Sequence, residues 1–380
     1  MQNKNESIFL TLRTVSYLGN KFLNYSLAFF ILEKTGKTLD LAILFAMGVL
    51  PEILFNFIGG ITGDIFNKKY INISCDFLRA FILLFFIIFV ELTNTNFIYS
   101  ISILKLILSL VGIFVAPAID GIIPEIISKE NLLKFNTKYT IYLDGVDIIS
   151  PLLAGYLYIN FGLYVILIID LISFIISGIL FSFIKLKKSI IDFKIKNENQ
   201  SFFITKDIFY LTIENFLVSI AIYPILDIYF IHYFTETLNF SDLKYGQYQS
   251  FLFFISVLVT ILIMKKIEII NKNKIYFFLS CILFLLSFFK VNIIIYSLFF
   301  IILDNIGKIL KIKFETKLQH ISPLNNFAKI SSVYWTFTIL GMMLGNFLLS
   351  SFIDKNLNSN YYIFLSIFLF LIAFLFRKTT

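Results

Sequence analysis

The sequence predicts an all-α polytopic membrane protein of twelve transmembrane helices in two six-helix halves, with N- and C-termini cytoplasmic. Three observations lead there. Of 380 residues, 58% are hydrophobic and 15% charged, whereas a soluble domain is about a quarter charged; there are too few polar residues to cover a water-facing surface. Apolar runs recur along the chain, most of them near the ~20 residues that cross a hydrocarbon core. Lysine and arginine are abundant in every second loop between those runs.

The first run, 8–32, follows a polar start, Met1–Ser7. It continues past Ile31 without a small-residue cleavage site, so it reads as a span and not as a cleavable signal. The second and third runs, 40–63 and 71–92, flank a polar turn, Gly59–Lys69. The fourth to sixth are 97–118, 138–160 and 162–185. The seventh to twelfth are 206–233, 245–267, 275–290, 292–314, 327–352 and 360–377; the ninth is short and meets the tenth near Lys290–Asn292. The longest segment that is not apolar, Lys185–Lys206, divides the chain. The expected domains are an N-terminal half, 1–184, a cytoplasmic central loop, 185–206, and a C-terminal half, 207–380.

Orientation follows from the cations, because cytoplasmic loops carry the excess. With the N-terminus inside, Lys4, Lys68, Lys69, Lys129, Lys134 and Lys138, the central-loop lysines and the later clusters up to Arg377 and Lys378 fall on the inner side. That is 22 of the 32 lysines and arginines, against 5 outside: Lys34, Lys37, Lys244, Lys290 and Lys355. A missed span would invert every later loop, so the asymmetry supports both span count and orientation.

Several function classes are excluded. The net charge of +8 sits in short loops between spans, which points to the lipid bilayer as partner and not to nucleic acid. Cys75 and Cys281 lie within apolar runs, so no disulfide framework is expected. His232 and His320 are too few for a histidine metal site, and no metal-ligand cluster appears. The chain has no phosphate-binding G-x-x-x-x-G-K-[ST], no G-x-S-x-G and no HExxH. Neither an enzyme nor a resident cofactor is expected.

Ionisable residues inside a membrane are costly, which makes each a functional candidate. Lys21 lies in the first span between Asn20 and Asn24. Asp144 and Asp147, three apart in the fifth, share a helix face. Glu214 lies in the seventh span, and Asp304 and Lys308, four apart in the tenth, can pair. Glu52, Lys105, Asp170 and Asp227 complete the set. A purely structural role competes with each: evenly for Asp304–Lys308, and as the favoured reading for Asp170. For Lys105, snorkelling to the outer surface weighs as much as lining a cavity. Carboxylates at such depth can exchange protons, so Asp144, Asp147 and Glu214 are the proton-coupling candidates.

Three places carry a family resemblance. Gly60-Ile-Thr-Gly63-Asp64-Ile-Phe-Asn-Lys68-Lys69 resembles the loop after the second helix of the major facilitator superfamily. Ile65 replaces its arginine and Asn67 a glycine. Ala116–Ala118, Ile123–Ile127 and Glu130–Leu132, with Ser150-Pro151-Leu-Leu-Ala154-Gly155, are similar to the fourth-helix exit and fifth-helix exporter motif of its macrolide-efflux and siderophore-exporter-like branch. Thr316–Gln319, Pro323 and Lys329 are similar to the loop after its tenth helix. The resemblance implies the major facilitator fold, with the first, fourth, seventh and tenth helices lining a central cavity.

It further implies a gating motif at Gly60, Gly63, Asp64, Lys68 and Lys69, a packing motif at Ser150, Pro151 and Gly155, and cavity polar groups at Asn20, Lys21, Asn24, Asp304 and Lys308. With its arginine replaced, Asp64 is expected to pair with Lys68, Lys69 or Arg79. The implied activity is secondary, proton-coupled efflux of an amphipathic small molecule by a monomer in a bacterial-type cytoplasmic membrane. Import of a nutrient or lipid by the same fold, and a non-transporting immunity or sensor role, are the alternatives.

Overall fold

The computed structural model describes residues 2–35, 38–93, 97–185, 205–234, 238–239, 242–264, 267, 275–276, 279–283, 293–354 and 360–377. These are almost entirely helical, and no strand occurs among them. The helices are α1 (Gln2–Thr35), α2 (Thr38–Ile65), α3 (Lys68–Thr93), α4 (Phe97–Ile126), α5 (Leu132–Phe183), α6 (Lys206–Pro224), α7 (Asp242–Met264), α8 (Ile293–Ile321), α9 (Phe327–Asp354) and α10 (Asn360–Arg377). Most of the expected ninth span and nearly all of the central loop lie outside the described residues.

Six helices are long and apolar enough to cross a membrane among the described residues: Ile43–Ile65, Lys68–Leu92, Tyr99–Ile126, Lys129–Phe183, Ile293–Ile321 and Leu324–Ile353. The 55-residue Lys129–Phe183 stretch would extend roughly 80 Å if straight, far beyond a hydrocarbon core of about 30 Å. It is not straight. Gly162, with φ 75° and ψ 178°, leaves helical conformation and divides α5 into arms 132–161 and 163–183. That φ lies in the region open to glycine at little cost, and the break falls between the expected fifth and sixth spans. In α6, Pro224 is followed by a π-helical stretch, Ile225–Tyr229, that continues into Phe230–His232. Proline lacks the N–H that an α-helical ladder needs, and a π-bulge is one way a helix accommodates the defect.

The chain separates into two compact units. The first comprises Met1–Phe203 together with Ser322–Val333; the second comprises Ile204–Ile321 and Tyr334–Thr380. The first turns of α9 therefore pack with the first unit, although they follow α8 in sequence.

Within the first unit, α1 packs on α5, α2 on α4, and α3 on both α4 and α5. Among the described residues two apolar cores result. One holds Phe22, Leu27 and Ile31 of α1 with Leu83 and Phe86 of α3, Leu104 and Leu108 of α4, and Ile166 and Phe174 of α5. The other holds Phe9 and Leu12 of α1 with Val115, Ile119 and Ile123 of α4, and Phe135 and Phe181 of α5. Between these cores α1 carries Arg13 and Lys21, and α3 carries Asp76 and Arg79. Large side chains elsewhere face outward, among them Phe45, Leu54, Phe81 and Leu92, as a lipid-facing surface requires.

In the second unit α10 packs on α6 and α8 on α7. The helical continuation of α6, 225–234, meets α8 through aromatic rings: Tyr233 and Tyr296 stack at 3.6 Å, and Phe230 meets Phe300 edge-on at 5.1 Å.

Candidate functional site

The α1 helix carries Tyr17 and Lys21 one turn apart, facing the first arm of α5. Lys21 Nζ stands 2.7 Å from Asp147 Oδ1, and both side chains are half-buried. The Tyr17 hydroxyl donates to the same carboxylate, 3.1 Å from each oxygen, and the Lys21 ammonium lies 4.9 Å from the Tyr17 ring centroid. One carboxylate thus holds an ammonium and a phenol together. Asp144 is half-buried one turn earlier on the same arm. Asn20 turns back and donates to the Ser16 carbonyl of its own helix, 2.9 Å away. Asn24 accepts from Lys105 Nζ. Lys105 therefore turns inward, with its stem against Gly48, and does not snorkel outward.

At the other end of the unit, Asp64 closes α2 and meets the start of α9. Its two carboxylate oxygens accept the backbone N–H groups of Ala328 and Lys329, each at 2.9 Å. First-turn N–H groups have no partner within a helix and carry its positive dipole end, so a carboxylate satisfies them on both counts. Neighbouring contacts tighten the joint. Asn56 donates to the Ser332 carbonyl at 3.2 Å, and Ser331 donates to Asp120 at 2.5 Å. A Cβ on Gly60 would stand 2.8 Å from Lys329 Cα, and one on Gly63 2.9 Å from Ala328 Cβ.

This corrects the expectation for Asp64. Lys68 pairs with Glu125 at 2.7 Å, and Lys69 donates to the Ser182 and Ile184 carbonyls that end α5. Arg79 lies over the Phe174 ring, 5.3 Å from its centroid. Asp64 binds none of the three as a hydrogen-bonded ion pair. A pair of helix-terminal amides occupies both its oxygens instead.

The second unit has its own polar cluster. Lys308 Nζ lies 2.7 Å from Asp304 Oδ2, and both are largely buried. Ser256 donates to the same carboxylate, and Asn305 links Ser256 (2.8 Å) to Thr260 (2.7 Å). Glu214 is buried and accepts from the Tyr276 hydroxyl at 2.6 Å; its neighbour Asn215 donates to Thr338 at 2.5 Å. The side chain of Asp227 lies outside the described residues. No group of three or more His, Cys, Asp or Glu suited to a metal ion occurs among the described residues.

A family model for the Major Facilitator Superfamily matches residues 9–310. The chain belongs to the Major Facilitator Superfamily. Members of that family are membrane transporters and not enzymes. The chain is similar to Macrolide efflux protein A of Streptococcus pyogenes, 27% identical over 180 residues, which are 46% of this chain and 43% of that protein. The matched stretch thus spans less than half of that relative's length. Among solved structures it resembles a bacterial homologue of the iron transporter ferroportin in an outward-facing state, with TM-score 0.74, 15% identity and 98% of both chains covered. It also resembles the fucose:proton symporter of E. coli, with TM-score 0.74, 12% identity and 98% of both chains covered. At such identities the likeness is one of fold.

The segment Ser150–Gly155 sits in the second half of the first arm of α5. Ser150 and Ala154, one turn apart, are fully buried. Gly155 is not where the arm packs tightly: a Cβ there would meet the Phe29 ring at an ordinary 3.7 Å. Pro151 lies within the helix.

Other polar contacts of the facilitator escaped sequence reading. Arg13 donates to the Tyr139 hydroxyl at 3.0 Å. Asp76 is buried and, with Arg79 and Asp170, forms an electrostatically linked group. Asp76 and Arg79 stand three apart inside the third apolar run, the spacing that drew attention to Asp144 and Asp147; the same criterion applied there would have found them.

Proposed function

We propose that this facilitator expels an amphipathic small molecule, of the drug, macrolide or siderophore type, across a bacterial-type cytoplasmic membrane in exchange for protons. Twelve helices in two halves, 1–184 and 207–380, with both termini inside, would rock about a mid-membrane site. The observation that carries the coupling is the Lys21–Asp147 ion pair. Protonation of Asp147 removes the negative charge that holds the Lys21 ammonium and Tyr17 hydroxyl. Loss of the proton restores the pair. A carboxylate that alternates between lysine and proton gives each half-cycle a different charge on α1 and α5, and links substrate affinity to the proton gradient. Asp144 and Glu214 are the further coupling candidates.

The direction is supported by the likeness to Macrolide efflux protein A, over less than half of that protein. Gly60, Gly63, Asp64, Lys68 and Lys69 serve as the gate in this reading. Asp64 grips the first turn of α9, and α9 continues past Val333 into the second unit, so release of that grip would free the helix to move. A drug-susceptibility panel with and without expression, followed by uptake in inside-out vesicles, tests the function. Expression should raise tolerance to at least one amphipathic compound, and collapsing the proton gradient should abolish its uptake by the vesicles. Gradient-driven accumulation in whole cells would instead mean import and would refute the reading.

A further inference from the structure

On the far side of α1 from the Lys21–Asp147 pair lies a second carboxylate, Asp170, on the second arm of α5. Successive helix residues are about 100° apart, so Gly19 points away from Tyr17 and Lys21. Its missing side chain is where Asp170 and Ser173 sit: a Cβ on Gly19 would fall 2.7 Å from Asp170 Oδ1 and 2.2 Å from Ser173 Oγ. A single helix thus separates two carboxylates in different settings. Asp147 is half-buried and ion-paired; Asp170 is fully buried and makes no ion pair among the described residues.

The hydrogen bonding of Asp170 is unusual for a carboxylate. Oδ2 is buried without a hydrogen-bond partner. Oδ1 has only Ser173 Oγ, at 3.3 Å, and that hydroxyl is closer to the Asp170 carbonyl, at 2.8 Å. Ser173 has one proton to give, and the nearer carbonyl takes it. The Oγ lone pairs then face Oδ1 as acceptors, an arrangement that suits a protonated carboxyl and repels an ionised one.

The surrounding charges agree. Facing Asp170 are Arg79 and Asp76 from α3 and Lys105 from α4; α1 contributes backbone at Gly19. Arg79 also interacts with Asp76 and Arg13, and Lys105 with Glu52 of α2 and Lys21 of α1. Arg79 therefore serves three carboxylates, Asp76, Asp170 and Glu52; Lys105 serves Asp170 and Glu52; and Arg13 adds to Arg79 at Asp76. Asp170 has neither Arg79 nor Lys105 to itself. Lys105 is bonded to Asn24, and Arg79 lies over the Phe174 ring; both act on Asp170 from beyond ion-pair distance. Buried charge without a paired partner is relieved by neutralisation.

We infer that Asp170 holds a proton at neutral pH and donates it to Ser173 Oγ, forming a second protonation site of the first unit, on the face of α1 opposite Asp147. The site takes a proton from water and returns it; no other reactant is involved. It stands apart from the efflux reading, because it requires neither a substrate nor a direction of transport.

The test is infrared difference spectroscopy of the purified full chain in lipid nanodiscs, with pH and H2O/D2O exchange as the only variables. The wild type should show the carbonyl stretch of a protonated carboxyl at neutral pH. Asp170→Asn should lose that band, and Ser173→Ala, which removes the acceptor, should shift it. Asp170→Asn copies a neutral acid in shape, so it should also melt close to the wild type. An unchanged spectrum in Asp170→Asn overturns the inference. Should that variant fail to fold, an unshifted band in Ser173→Ala overturns it equally.

Discussion

Asp64 accepts the backbone N–H of Lys329 at 2.9 Å, and that of Ala328 at the same distance, so the end of α2 caps the start of α9. Charge-assisted hydrogen bonds of this kind contribute about 1.5–3 kcal/mol. Asp64→Asn keeps one acceptor oxygen and loses the charge, and should cost about 1–3 kcal/mol. Asp64→Ala should cost more. Thermal melting of the purified chain in detergent reads both. Asp64→Ala should also raise protease sensitivity near Ser322–Val333, whereas Lys68→Gln and Lys69→Gln, which leave the cap intact, should not.

The glycines make a graded prediction. A Cβ on Gly59 would stand 1.8 Å from the Ile113 carbonyl oxygen, a backbone atom that cannot step aside. A Cβ on Gly155 finds ordinary contact at 3.7 Å. Gly59→Ala should therefore lower folded yield sharply, whereas Gly155→Ala should stay within about 1 kcal/mol of the parent. Size-exclusion profiles of the two variants, expressed side by side, decide this.

The Asp304–Lys308 pair is largely buried, and removing one partner strands a charge. Lys308→Met should destabilise by about 3–5 kcal/mol. Asp304→Asn combined with Lys308→Met should recover much of that loss, because no charge remains to be buried. A double-mutant cycle on melting temperature measures the coupling. Additive losses would mean that the two side chains act independently.

Gly162 is the hinge of α5, at φ 75°. Nothing crowds a Cβ there, so Gly162→Ala isolates the backbone cost, about 1–3 kcal/mol for an L-residue in that region. A melting shift of that order, without loss of folded yield, is expected.

How much the sequence disclosed depends on the kind of signal. Composition and run length need only the chain itself, and they made the helical membrane character and the break near Gly162 legible. Pairings that follow helix periodicity were also legible: Asp304 with Lys308 needs only the four-residue spacing. The Lys21–Asp147 contact was accessible because a lysine inside a membrane must find an acid and few were on offer. The partner of Asp64 was not legible. Its ligands are backbone amides some 260 residues later, and amides exist at every position except proline, so no residue type marks them. For Asp170 the sequence favours a structural role; its closeness to Gly19 is a tertiary fact that no spacing announces. Of the residues expected to pack, Ser150 is fully buried, as is Ala154 one turn on, whereas Gly155 has only ordinary contact with Phe29.

Proton flux through the reconstituted chain tests the central claim most directly. Proteoliposomes with a pH-sensitive dye inside would be given a gradient of whichever compound the susceptibility panel identifies. The account predicts proton counterflow in the wild type. It predicts none in Asp147→Asn, although labelled compound should still exchange with unlabelled compound across that membrane, because binding and rocking survive while the proton site does not. Wild-type proton counterflow in Asp147→Asn would contradict the account.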